Sequence, residues 1–149
     1  MMKTFLKTQE VNLDGEVIVI TQLSGLDRFD FLDYCTDLPK PEQPVNPGEN
    51  STAQEKEKYL DEMSKNIKQW QRINFMGQSR LVAYGYKEPG DDLEDRHRQI
   101  MGFMTPDQVK FLHDEIAKFS GIPLPEPVED ADEPNSESEE TQEPVDPKV

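Results

Sequence analysis

Cysteine and long apolar runs are both scarce in this chain of 149 residues. The one cysteine, Cys35, cannot form an internal disulfide, which excludes a disulfide-stapled secreted fold and fits a reducing cytoplasm. The longest aliphatic run covers only residues 17–20, whereas a membrane-spanning helix needs roughly 20 apolar residues. The N-terminus turns polar too soon to supply the apolar region of a signal peptide. We therefore expect a soluble intracellular protein.

Positive charge is scarce as well. The chain has 16 Lys and Arg residues against 31 Asp and Glu residues, which gives a formal charge of −15. This charge repels phosphate backbones and anionic headgroups, so nucleic-acid and membrane binding are disfavoured. With 34% hydrophobic residues and a mean hydropathy of −0.83, the apolar material suffices for one modest domain. The expected partners are other proteins.

The negative charge is concentrated at the C-terminus. Residues 121–149 carry a net charge of −9, which leaves −6 for residues 1–120. The C-terminal segment also holds six of the twelve prolines and, beyond Leu124, no apolar side chain larger than valine. Such a composition cannot offset the entropy lost on ordering. We predict a folded domain at 1–120, interrupted by a Pro-rich linker at 39–50, and a disordered acidic Pro/Glu-rich tail at 121–149.

The N-terminal segment predicts a β-hairpin, because two β-prone runs flank Asp14-Gly15, a dipeptide suited to a two-residue turn. A tight turn there pairs Leu13 with Glu16 and Val11 with Ile18. The shared apolar face needs a cover, which we expect the next helix to provide. This face consists of Phe5, Val11, Leu13, Ile18 and Ile20.

The next helix should begin with Ser24 as N-cap, with Asp27 in the capping-box position, and end before Pro39. Its apolar residues spread widely around the axis, while its aspartates gather on one side. We interpret this acidic stripe as a solvated face, with a partner-facing stripe as the alternative. Its members are Asp27, Asp30, Asp33 and Asp37.

After the linker, Thr52 and Glu55 form a second capping box that opens a long helical pattern. Gly77 is a place where this helix could kink or divide. We interpret Trp70 as a core residue, and basic residues outnumber acidic ones along the helix. The apolar pattern, at spacings of three and four, comprises Leu60, Met63, Ile67, Trp70, Asn74, Gly77, Leu81 and Tyr84.

Two further helices complete the prediction. A short helix ends at about Met101, and the last helix has Thr105 as N-cap, Pro106 at its first position and Gly121 just beyond its end. The predicted fold class is α+β, with an N-terminal β-hairpin packed on a helix-dominated domain of three or four helices and a disordered acidic C-terminal tail. The apolar stripe of the last helix is Val109, Leu112, Ile116 and Phe119.

No arrangement of residues points to catalysis, a cofactor or a metal. His97, His113 and Cys35 are the candidate metal ligands, and none lies at zinc-ligand spacing from another ligand type. Serine elbows and phosphate-binding glycine loops are missing from the sequence. We interpret Arg96-His97-Arg98 as internal charge pairing. The chain is therefore not expected to be an enzyme.

Residues 1–35 contain a recognisable motif, which consists of Phe5-Leu6-Lys7-Thr8, Gly15 and Leu23-Ser24-x-Leu26-x-Arg28-x-x-x-Leu32. This motif resembles the start of the tail assembly chaperone family called minor tail protein G in lambda-like long-tailed bacteriophages. A weaker likeness extends to Leu81-Val82-Ala83 and to the Pro- and Glu-rich C-terminus.

This resemblance implies a non-enzymatic assembly protein of the host cell cytoplasm that is absent from the mature virion. It would bind the tape measure protein and help tail-tube subunits gather around it. A form extended by ribosomal frameshifting would recruit the major tail-tube protein. The candidate partner-contact residues are Asp27, Asp30, Asp33, Asp37, Phe31, Lys65, Lys68 and Arg72.

The alternative is an acidic DNA mimic that occupies the basic groove of a nucleic-acid-binding host protein. Such a mimic needs carboxylates held at phosphate-like intervals on rigid elements. Most of the net negative charge here lies in the segment predicted to be disordered, so the chaperone is favoured. A tape measure gene downstream would support the chaperone, whereas tight binding to a DNA-processing enzyme would support the mimic.

The resemblance also predicts where frameshifting occurs. A heptamer of the type X XXY YYZ can be encoded at Pro147-Lys148, because GAC-CCA-AAG for Asp146 to Lys148 contains C CCA AAG. The same dipeptide occurs at Pro39-Lys40, so the position close to the C-terminus is what singles out this copy. The nucleotide sequence tests the placement, and CCG or CCT at Pro147 would contradict it.

Overall fold

The computed structural model describes residues 4–124, so the predicted tail beyond Leu124 and the frameshift position at Pro147 and Lys148 lie outside the described residues. The predicted α+β class, with an N-terminal hairpin and four helices, is confirmed. The elements are β1 (Thr8–Leu13), β2 (Glu16–Thr21), α1 (Gly25–Asp37), α2 (Ala53–Gly85), α3 (Leu93–Phe103) and α4 (Pro106–Phe119).

The β-hairpin has the predicted register, in which Leu13 pairs with Glu16 and Val11 with Ile18. Its turn places two consecutive residues at positive φ, 52° at Asp14 and 92° at the following glycine. A two-residue turn of this type matches the twist of the strands, and glycine and aspartate tolerate that backbone region. The local sequence therefore determines the register.

The apolar face of the hairpin differs from the prediction in two respects: one predicted residue is exposed, and α1 does not cover the face. Val11, Ile18 and Ile20 are buried, but Phe5 is exposed because it precedes the first paired residue of β1. α1, the expected cover, contributes no buried residue. Hydrogen bonds instead attach the hairpin to α4. They run from Gln108 Nε2 to Asp14 Oδ2 (2.7 Å), from Gln22 Nε2 to Phe119 O (3.0 Å) and from Leu23 N to Ser120 Oγ (2.9 Å).

The core forms around the last turns of α2. Leu81, Val82 and Ala83 are three consecutive residues with no exposed surface, so this part of the helix is enclosed on all sides. Residues of the hairpin, α3 and α4 belong to the same hydrophobic cluster. α4 approaches closely at Gly85, where a Cβ atom would lie 2.5 Å from Ile116 Cγ2.

α1 and the Pro-rich linker run antiparallel to α2, which is one continuous helix of 33 residues and does not divide at Gly77. The C-terminal end of α1 faces Gly77 through Cys35 and Leu38. The linker then follows α2 toward its N-terminus, where Glu42 O accepts a hydrogen bond from Asn66 Nδ2 (2.8 Å). The linker is thus a strap along α2.

Replacing Gly85 tests the close approach of α2 and α4. Gly85→Ala should lower the free energy of unfolding by about 1–3 kcal/mol, because the added Cβ would force the fully buried Ile116 side chain to shift. Gly102→Ala in α3 is the matched control, since nothing lies within 4 Å of its added Cβ. It should be neutral or stabilising by up to about 1 kcal/mol. Urea unfolding measures both, and equal effects would contradict the packing described here.

Candidate partner-binding surfaces

The apolar pattern of α2 is buried at its C-terminal end and open at its N-terminal end. Leu60, Ile67 and Trp70 are 66%, 52% and 36% exposed, whereas Leu81 and Tyr84 lie in the core. The prediction that Trp70 is a core residue is therefore wrong, because the core elements surround only the last turns of the helix. We call Leu60, Ile67 and Trp70 the open seam.

A shallow groove of about 350 Å³ lies where the open seam meets the core. Gly77 is part of its lining, and Leu38 of the α1 end, Trp70 and His113 of α4 contribute walls. The groove joins the open seam to the apolar packing inside the domain. A helix lying on the seam could therefore extend into a preformed depression.

The outer face of α1 is a second open apolar surface. Leu26, Phe29 and Leu32 are 70%, 69% and 56% exposed, and they follow one another at spacings of three. Sequence reasoning missed that this surface stays open, because it assigned the apolar residues of α1 to covering the hairpin. Phe31, the predicted contact residue, is half-buried and packs against the core cluster.

The four aspartates of the predicted acidic stripe have two different roles. Asp27 closes the capping box, since its Oδ2 accepts a hydrogen bond from Ser24 N (3.2 Å). Asp30, Asp33 and Asp37 are exposed, and within residues 4–124 none of the three forms an ion pair. These three carboxylates lie beside the exposed apolar side chains of α1 and are available to a partner.

The predicted basic contact residues lie together on α2. Lys65, Lys68 and Arg72 follow at spacings of three and four, which places them on one face, and all three are exposed. We call them the basic ridge. At about 100° per residue, the ridge lies roughly 150° around the helix from the open seam.

A buried polar cluster attaches α1 to the core. The guanidinium of Arg80 makes two hydrogen bonds to the Glu94 carboxylate (3.1 and 2.8 Å), and its Cζ lies 4.4 Å from the ring centroid of Tyr34 in α1. Arg80 Nη1 also lies 3.2 Å from His97 Nδ1. The ion pair and the aromatic stacking compensate for the burial of this positive charge. Among the buried side-chain donors of the described residues, only Arg80 Nε has no hydrogen-bond acceptor.

The contacts of His97 assign it a neutral imidazole. Ser79 Oγ donates to Phe75 O (2.7 Å), so it accepts from His97 Nε2 (2.9 Å), and Nδ1 is left to accept from Arg80. Burial and the adjacent guanidinium lower the pKa of His97. The hydrogen bond from Arg80 lowers the pKa of Glu94 and raises that of Arg80. No pattern in the sequence connects these residues of α1, α2 and α3.

The expected charge pairing of Arg96-His97-Arg98 holds for one arginine. Arg98 pairs with Asp95 (2.6 Å) on the surface of α3. Arg96 instead donates from Nε to Ala83 O (2.8 Å) in the last turn of α2 and from Nη1 to the carbonyls of residues 90 and 91. It therefore caps a carbonyl group in the last turn of α2 and attaches the loop at residues 90 and 91 to α3.

The fold and these surfaces together define a small, helix-dominated α+β protein with open apolar helix faces. The chain belongs to the bacteriophage lambda tail assembly chaperone family, TAC, protein G, whose family model matches residues 4–143. This match confirms the resemblance carried by the N-terminal residues, and it gives the chain a role in phage tail assembly. The family is one of chaperones and not of enzymes. No curated protein and no solved structure matches the chain.

Between residues 4 and 124, no group of three or more His, Cys, Asp or Glu side chains could hold a metal ion. None of the helices in the same range is long and apolar enough to cross a membrane.

The burial of His97 predicts a pH-dependent stability. Because its pKa is lower in the folded chain than in the unfolded chain, the unfolded state binds more protons below about pH 6.5. The contribution of the neutral His97 to the free energy of unfolding is therefore complete above that pH. It falls as the pH decreases, by at most about 1.4 kcal/mol per pH unit. Urea unfolding between about pH 7.5 and about pH 5.5 measures this slope, in a range where carboxylates contribute little.

His97→Gln should flatten the dependence of the free energy of unfolding on pH, whereas His113→Gln should leave that dependence in place. The chain has only these two histidines, and His113 is half-buried beside Asp114 on α4. The comparison uses slopes and not absolute stabilities, so a general loss of stability in either variant does not obscure it. A slope that survives in His97→Gln would contradict the assignment.

Proposed function

We propose that this chaperone binds the tape measure protein in the host cytoplasm, promotes assembly of the tail tube around it, and is absent from the finished virion. A frameshift-extended form recruits the major tail-tube protein. Membership of the tail assembly chaperone family supports this proposal. The observation that carries it is the open seam of α2, an apolar helix face whose side chains remain 36–66% exposed.

The open seam continues an interface that the chain already makes. α4 packs against the buried C-terminal part of the α2 pattern, and Leu60, Ile67 and Trp70 extend the same pattern beyond the core. A second helix with matching spacing can continue this packing, as amphipathic helices do when they bind apolar grooves. The proposed occupant is an amphipathic helix of the tape measure protein.

Burial of the open-seam side chains can contribute several kcal/mol to binding, at on the order of 1 kcal/mol for each side chain. Full burial of one large apolar side chain contributes about 1.5–3 kcal/mol, and the seam residues begin only partly exposed. On the order of 1 kcal/mol from each of several side chains gives useful affinity, provided the helix faces are preformed. The capping box at Thr52 and Glu55 supports the exposed end of α2 before any partner arrives.

The outer face of α1 favours a protein partner over DNA mimicry. Its three carboxylates, which form no ion pair within residues 4–124, lie among Leu26, Phe29 and Leu32. This mixture suits an amphipathic partner better than the basic groove of a DNA-binding protein. We assign binding of the tape measure protein to residues 1–120.

Substitutions in the open seam test the proposal. Leu60→Asp and Ile67→Asp should each weaken co-purification with the tape measure protein, by roughly tenfold in affinity, because each places a charge in the apolar contact. Phe103→Asp, at an exposed apolar position of α3, is the matched control and should bind like the wild type.

The three variants also separate two kinds of failure. A wild-type chain that forms no complex would contradict the proposed function itself. If the wild type binds and the seam variants bind equally well, the tape measure protein contacts another surface and only the seam assignment is wrong. Circular dichroism checks that each variant keeps its helix content.

A further inference from the structure

The basic ridge is an exposed positive surface that forms no ion pair within residues 4–124. From residue 63 to residue 73, α2 carries Lys65, Lys68 and Arg72 and no acidic residue. Glu42 and Glu62 line the same depression as Lys65, but neither comes within ion-pair distance of it. In the neighbouring depression, Lys40 of the linker strap adds a further positive charge beside Arg72.

The chain itself contains a complementary segment. Residues 125–149 hold ten acidic residues and one lysine, for a net charge of −9. This acidic segment follows Leu124, which packs against the core around the last turns of α2. It therefore starts near one end of the same helix that carries the ridge.

The segment is long enough to reach the ridge. Arg72 precedes Gly85 by 13 residues and Lys65 by 20, which correspond to about 20 and 30 Å along the helix axis. A disordered chain of 25 residues, as the composition predicts here, has a root-mean-square length of about 25–30 Å. Mutual repulsion of its carboxylates extends it further.

We propose that the acidic segment 125–149 binds to the basic ridge of α2 within the same chain. Several carboxylates share three cations, so the contact is electrostatic, tolerant of the order of residues and sensitive to salt. Because the ridge lies on a different side of α2 from the open seam, the bound segment leaves the seam free. On the proposed function, the segment and the tape measure protein therefore bind at the same time.

Carbodiimide cross-linking of the full-length protein, followed by mass spectrometry, tests the contact without any partner. The reagent joins a carboxylate to a lysine amine only where the two meet. At about 50 mM salt, cross-links from residues 125–149 should fall on Lys65 and Lys68 several-fold more often than on Lys58 and Lys87, which are also exposed but have acidic neighbours. At about 500 mM salt this preference should disappear.

Arg72→Gln sharpens the test, because it lowers the charge of the ridge and keeps both reporter lysines. It should reduce cross-links at Lys65 and Lys68 several-fold, whereas Lys58→Gln, an equal charge change on the same helix, should not. A chain with a scrambled 125–149 segment should cross-link like the wild type. The proposal is overturned by an even distribution over exposed lysines, by insensitivity to salt, or by dependence on the order of residues in the segment.

Isotope mixing decides whether the contact lies within one chain. Equal amounts of ¹⁴N- and ¹⁵N-labelled protein should give almost only unmixed cross-links, and a predominance of mixed pairs would contradict the proposal. Addition of the tape measure protein should leave the cross-links in place. Since the cross-links are first measured without that protein, a failure of the proposed function does not affect this result.

Discussion

The structure depends on the complete enclosure of the last turns of α2. From Ser79 to Tyr86 every residue is buried, so apolar or hydrogen-bonding partners are required on all sides of this short stretch of helix. α4, α3, the hairpin and, along one side, α1 meet this requirement. Gly85 permits the close approach of α4, because the space next to it is filled by Ile116.

Enclosure on all sides also creates the polar cluster. A helix buried all round carries some of its polar positions inward, and Arg80 and Ser79 are such positions. The Arg80 guanidinium would be costly to bury alone, and its pairing with Glu94 and stacking on Tyr34 offset that cost. In this way one buried charge connects α1 and α3 to the central helix.

The same constraint explains why so much apolar surface stays open. A chain with 34% hydrophobic residues and a charge of −15 can enclose only part of a 33-residue helix. The remainder of α2 projects from the core with its apolar pattern intact, and α1 keeps Leu26, Phe29 and Leu32 exposed. High net charge opposes the self-association that such surfaces invite, which suits a tail assembly chaperone that meets its partner during assembly.

Local chemistry made much of the fold predictable from the sequence. The Asp14-Gly15 turn, the capping boxes that begin at Ser24, Thr52 and Thr105, and the order of hairpin and helices all depend on residues within a few positions of one another. The family resemblance was readable for the same reason, since its motif lies in the N-terminal residues.

The tertiary structure alone decided which apolar faces are used. The sequence shows one continuous pattern from Leu60 to Tyr84, and only the placement of α4 determines that the pattern is core at one end and surface at the other. The cover of the hairpin and the pairing of Arg80 with Glu94 were unpredictable for the same reason. Periodicity reports that a helix has an apolar face, whereas packing between distant segments determines what that face contacts.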